Sequence, residues 1–196
     1  MPRIALAVAG VLFLLYPVVR PWEDETTAAG AHAAMSSGAW VASHLFAMIG
    51  FILVGLALLG LRDLVGTTPV AVMWAGAGLT LTYYGAEDFG LHAAASTAGT
   101  DLLAVAEATR YQPVAVTAFG IGLVLLAVGA VLVGRAIGRP SAWVFAAGFV
   151  LFLPQFFTPA PVRIAHGVLM LAGLMWLAAD LRVRTDERAL TRQGAA

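Results

Sequence analysis

Apolar residues run along this chain in six long stretches, at residues 4–19, 40–61, 69–90, 113–135, 141–157 and 162–181, and the segments between them hold most of the charges. A bilayer core about 30 Å thick takes about 20 apolar residues in helical form. The pattern therefore predicts an all-α, polytopic bundle of about six membrane-spanning helices. The first and fifth stretches are short, which leaves little room for tilt.

Arginine placement orients the bundle, because cytoplasmic connections carry the excess of positive charge. With the N-terminus inside, the cytoplasmic segments hold Arg3, Arg62, Arg135, Arg139, Arg182, Arg184, Arg188 and Arg192, against Arg20, Arg110 and Arg163 outside. Both termini are thus expected in the cytoplasm. Trp22 and Trp40 then fall near the outer interface, and Trp74, Trp143 and Trp176 near the inner one. Trp40, Tyr83 and Tyr84 read as interfacial anchors. The chain divides into a transmembrane domain, residues 1–181, with outer loops 20–39 and 91–112, and a basic cytoplasmic tail, 182–196, suited to anionic headgroups. In the second loop Thr100-Asp101-Leu102-Leu103 reads as a helix start. Residues 1–19 also fit a signal peptide with Ala29-Gly30-Ala31 as a small-residue site, but that site lies far downstream. A retained span is the expectation.

Composition narrows the chemistry. Of the 196 residues, 61% are hydrophobic and 11% charged, where a soluble domain carries about 25% charged residues. The net charge is zero, so no general basic field draws in nucleic acid. The chain has no Cys, which excludes disulfide exchange, thiolate catalysis and Cys-held clusters. Every cation is Arg, which excludes a Schiff-base lysine and a P-loop lysine. No Gly-x-Ser-Gly, His-Glu-x2-His or Glu-Glu protease pattern is present.

The inner halves of the helices are nearly free of ionisable groups, whereas the outer halves are not. Tyr16, His44, Tyr83, Tyr84, Glu87, Asp88, Gln155, Arg163 and His166 fall into one layer below the outer rim, with His92 one turn beyond Asp88 and His32 in the first loop. An ionisable side chain in hydrocarbon is expensive, so this layer is a functional-site hypothesis. Polar groups on one side only fit an outward-opening pocket better than a transport path. Glycines 76, 78, 120 and 122 suit close helix packing.

Several chemistries compete for the layer. His44 and His166 lie at matching depth, each followed four residues later by methionine, Met48 and Met170. Such i, i+4 pairs share a helix face. They could ligate haem b or copper, with Tyr84 or Gln155 in support and Arg163 balancing charge. Asp88 and His92 are spaced for a metal such as zinc or for proton transfer. Glu87 and Asp88 could also act as general acid on a lipid-like or isoprenoid substrate. Acids near a helix C-terminus oppose its dipole, so a cation should pair with them, Arg163 first and Arg110 second.

The favoured reading is an integral protein of a bacterial cytoplasmic membrane that binds a small ligand or cofactor, haem or a copper-type metal, in an outward-facing polar pocket. The alternatives are a membrane-embedded enzyme and a non-catalytic membrane subunit. Expected partners are the lipid bilayer, a small hydrophobic ligand, and a second copy or a membrane-complex partner.

Overall fold

The computed structural model describes the backbone of residues 1–193 and the side chains of residues 1–181. Twelve helical segments follow one another, and no strand occurs among the described residues. They are α1 Pro2–Val19, α2 Ala28–Met35, α3 Gly38–Gly60, α4 Arg62–Val65, α5 Thr67–Gly85, a π-helical turn Ala86–Gly90, α6 Leu91–Ala95, α7 Leu102–Tyr111, α8 Pro113–Ile137, α9 Pro140–Val150, α10 Phe152–Gln155 and α11 Ala160–Gln193. The basic side chains of the 182–196 tail lie outside the described ones.

Four helices are long and apolar enough to cross a bilayer, as an integral multi-pass membrane protein requires: Pro2–Val19, Gly38–Gly60, Pro113–Ile137 and Ala160–Leu181. The other two expected spans form helices of a different kind. α5 has the length, but threonine, glycine and tyrosine dilute its apolar character. The fifth is split, since α9 ends at Val150 and Pro154 sits in the separate turn α10.

Local sequence explains most of the boundaries. Ser37 accepts a hydrogen bond from Trp40 N at 3.1 Å and starts α3. Gln112 caps α8 ahead of Pro113, whose missing N–H is harmless in the first turn. Gly138 closes α8 in the left-handed region, φ 68°, and its N–H returns to Gly134 O at 2.8 Å. Glycine is favoured there because it has no Cβ to clash.

The long helices form a closed ring in which α1 packs between α3 and α11, α11 meets α9, α9 meets α8, α8 meets α5, and α5 returns to α3. The α5–α3 seam is the sparsest, and Trp74 bridges it by donating to Gly55 O at 3.2 Å. Phenylalanines fill the centre of the ring. Phe13 lies edge-on to Phe51 (5.0 Å), Phe152 (5.8 Å) and Phe149 (6.0 Å), a preferred geometry for aromatic pairs. Toward the Arg62 end the core continues in Val54, Leu58, Leu126, Val133 and Leu177, all buried.

Small residues bring α5 and α8 together. A Cβ on Gly76 would stand 2.8 Å from both Gly122 O and Leu126 N, so the two backbones meet there without side chains between them. Gly78 and Gly120, expected to act the same way, face open space instead. Residues two apart on a helix do not share a face. Gly76→Ala should therefore overpack the seam and cost about 1–3 kcal/mol, whereas Gly78→Ala should leave stability unchanged or raise it by up to about 1 kcal/mol through helix propensity. Thermal unfolding of the two variants in detergent checks this contrast.

Candidate functional site

Three short helices cover one end of the ring. Ala31, Ala34 and Met35 of α2, Leu91 and Ala95 of α6, and Leu102 and Ala106 of α7 bury one another around Trp40 at the start of α3. Side-chain caps hold the pieces in place: Thr27 accepts from Gly30 N and Asp101 from Ala104 N, each at 3.1 Å. His92 hydrogen-bonds the Met35 carbonyl at 2.8 Å and ties α6 to α2. Asp24 stays below the usual carboxylate pKa because the Thr26 hydroxyl and N–H both donate to it.

A charge network lies between this cap and the ring. Glu25 is its hub. Arg20 donates to one of its oxygens at 2.6 Å, and Arg110 donates to the other at 2.6 Å. Arg110 also donates through Nε to Glu87 Oε1 at 2.9 Å. The Trp40 ring lies beneath both cations, 4.8 Å from the Arg20 guanidinium carbon and 5.8 Å from that of Arg110. Burial works against the charge on Arg20, but Tyr16, Glu25 and Glu87 outweigh it and hold its pKa above the ordinary value. Arg110 behaves alike, with burial opposed by Glu87 and Glu25.

His44 sits below Arg20 with both ring nitrogens engaged. Nδ1 lies 2.8 Å from Trp40 O. A carbonyl oxygen can only accept, so the proton is on Nδ1. Nε2 is then the acceptor for Arg20 NH1 at 3.3 Å. Asp88 is wholly buried, and its nearer oxygen stands 4.0 Å from His44 Nδ1. Among the described residues neither Asp88 oxygen has a hydrogen-bond partner, a costly arrangement for a buried carboxyl.

Arg163, in the first turn of α11, stands apart from these carboxylates. It donates through Nε to Gln155 Oε1 at 2.9 Å and through NH2 to Tyr16 OH at 3.4 Å. The rings of Trp22 and Phe156 lie 4.9 and 5.1 Å from its guanidinium carbon. It forms no ion pair among the described residues.

A cavity of about 440 Å³ opens at this end. Arg20, Arg110, Arg163, Glu25 and Glu87 line it together with Trp22 and Tyr83, and Val116, Phe119, Gly120, Leu153, Phe156 and Phe157 form its apolar wall. Its size lies within the range of about 300–1,000 Å³ usual for ligand clefts.

The structure brings some expected residues together and separates others. Glu87 and Arg163 line the cavity; Gln155 supports Arg163, and Tyr84 lies beside the His44 ring at 5.8 Å. The partner of Glu87 is Arg110, not Arg163, because the α7 helix carries Arg110 back over the π turn. Trp40 and Tyr84 are buried core residues, not interfacial anchors. His166 turns away from His44 in its contacts, with Nε2 on Gly148 O at 2.8 Å and its ring against Phe152. Met170 packs on Gly148, and Met48 belongs to the apolar core. An axial ligand must offer iron or copper a nitrogen lone pair, and that of His44 is directed at Arg20. Among the described residues no group of three or more His, Asp or Glu could hold a metal ion.

The sequence does not single out three of the cavity residues, Arg20, Trp22 and Glu25, which read as loop or interface positions, and it offers Arg110 only as the second choice of partner for the acids. The available signal is the pair of long outer connections, each holding one arginine on an otherwise positive-poor side of the chain. The π turn is also unforeseen, although Gly85 and Gly90 flank it. Compared with known protein families, curated proteins and solved structures, the chain matches none.

The two neighbouring acids should respond in opposite ways. Glu87→Gln removes one of the two carboxylates paired with Arg110 and is expected to destabilise by about 1–3 kcal/mol. Asp88→Asn removes a carboxyl without a hydrogen bond and should leave stability unchanged or raise it. Side-by-side thermal unfolding of the two variants decides the matter.

Proposed function

We propose that this chain is a ligand-binding integral protein of a bacterial cytoplasmic membrane, with six spans, both termini in the cytoplasm and its pocket open to the outer side. The observation that carries the reading is the cavity of about 440 Å³, where three arginines and two glutamates meet a wall of aromatic side chains. Pockets of this kind, mostly apolar with a few convergent polar groups, are the usual form of small-molecule sites. The arginine bias of the sequence puts the cavity end outside, and the phenylalanine-filled centre supports a one-sided site over a path through the bundle.

No observation supports the haem or copper form of this reading, and the hydrogen bonds of His44 count against it. The general-acid alternative is weakened too, since Glu87 is taken up by Arg110 and Asp88 does not line the cavity.

The natural absence of cysteine makes the topology directly testable. In intact cells, a membrane-impermeant maleimide should label Tyr111→Cys and spare Arg62→Cys; the reverse pattern would invert the pocket. Protein extracted in mild detergent should carry a small-molecule adduct in native mass spectrometry, and Gly120→Leu, which fills the cavity, should lose it.

A further inference from the structure

We infer that the cavity takes a monoanionic amphiphile, one acidic head on one apolar chain, with Arg163 holding the head and the α8 face of the cavity holding the chain. This deepens the pocket reading of the preceding section and rests on it.

The charge balance of the lining points to a single negative charge. Arg20 and Arg110 are matched by Glu25 and Glu87, each bonded at 2.6–2.9 Å. Arg163 is the cation in excess. A guanidinium carries five N–H donors, and Gln155 and Tyr16 take one each. The remaining donors face a site where Trp22 and Phe156 flank the guanidinium and limit its movement. An arginine fork with free donors, fixed between aromatic rings, suits a carboxylate or phosphate oxygen pair.

The apolar half of the lining gives the rest of the ligand. Val116 and Gly120 stand three and seven residues into α8 from Pro113. From Val116 to Gly120, at a helical rise of about 1.5 Å per residue, this wall extends about 6 Å along the helix. Phe157 is 84% exposed and Val116 40%, which leaves the mouth of the cavity edged by apolar side chains. A Cβ on Gly120 would meet nothing within 4 Å, so the groove beside α8 is open there. Charge at the end of the bundle and apolar wall running down the helix repeat the order of head and chain in a lipid leaflet. A small hydrophilic anion would leave this wall uncovered, and a neutral chain would leave Arg163 without a counter-charge.

The test places the purified full chain in phosphatidylcholine nanodiscs and titrates three probes: oleate, oleyl alcohol and inorganic phosphate. Tryptophan fluorescence reports binding, and Trp22→Phe identifies the signal from the cavity. Oleate should bind at least about tenfold more tightly than oleyl alcohol, the scale of one charge-assisted hydrogen bond, and phosphate alone more weakly than oleate. Arg163→Gln should weaken oleate about tenfold and leave oleyl alcohol unchanged, Arg163→Lys should recover part of the loss, and Gly120→Leu should weaken both chains. If Arg163→Gln does not fold, the comparison of oleate with oleyl alcohol on the unaltered chain still decides. Equal affinity for oleate and oleyl alcohol, or phosphate binding as tightly as oleate, would overturn the monoanionic amphiphile while leaving the pocket reading intact. No binding of any probe, together with no native adduct sensitive to Gly120→Leu, would overturn both.

Discussion

The arrangement depends on one carboxylate, Glu25, accepting from two arginines at once. A charge under the cap, largely withdrawn from water, is tolerable only when it is paired and hydrogen-bonded. Glu25 meets this condition for Arg20 on one side and Arg110 on the other, and Arg110 extends it to Glu87. Three segments far apart in sequence are thereby fastened together: the connection after α1, the π turn that ends α5, and the surface helix α7. Replacing buried ion pairs with apolar residues is often neutral or stabilising, so the value of this network lies in position more than in net stability. It keeps guanidinium and carboxylate groups at fixed places on a cavity wall.

The π turn works with the network. Within the turn Ala86–Gly90 Glu87 accepts from Arg110, and Asp88 stands 4.0 Å from His44 Nδ1. Single π turns within α-helices are frequent at functional sites. The turn holds two acids of the same chemistry, one inside a salt-bridge network and one without a hydrogen bond among the described residues.

The two ends of the bundle divide the labour. Below Tyr84 the ring is packed with phenylalanine, leucine and valine, and glycine contacts such as Gly76 on Gly122 draw the helices close. Above it, cations, acids and aromatic rings share the space with a cavity. A close-packed interior transmits strain and resists rearrangement, so the apolar half is a rigid seat for the polar half.

Hydropathy alone determined the all-helical, membrane-spanning character, the approximate ends of the long helices and the gathering of polar groups at one end, and a capping pattern determined the start of α7 at Asp101. These are local properties, read from runs of apolar residues and from caps a few positions apart. The choice of Arg110 over Arg163 as the partner of Glu87, the hub role of Glu25 and the burial of Trp40 were decided only by the tertiary structure. Glu25 and Arg110 are 85 residues apart in sequence. Which of two arginines reaches an acid depends on how connecting segments fold back over the bundle, and no periodicity along the chain encodes that path.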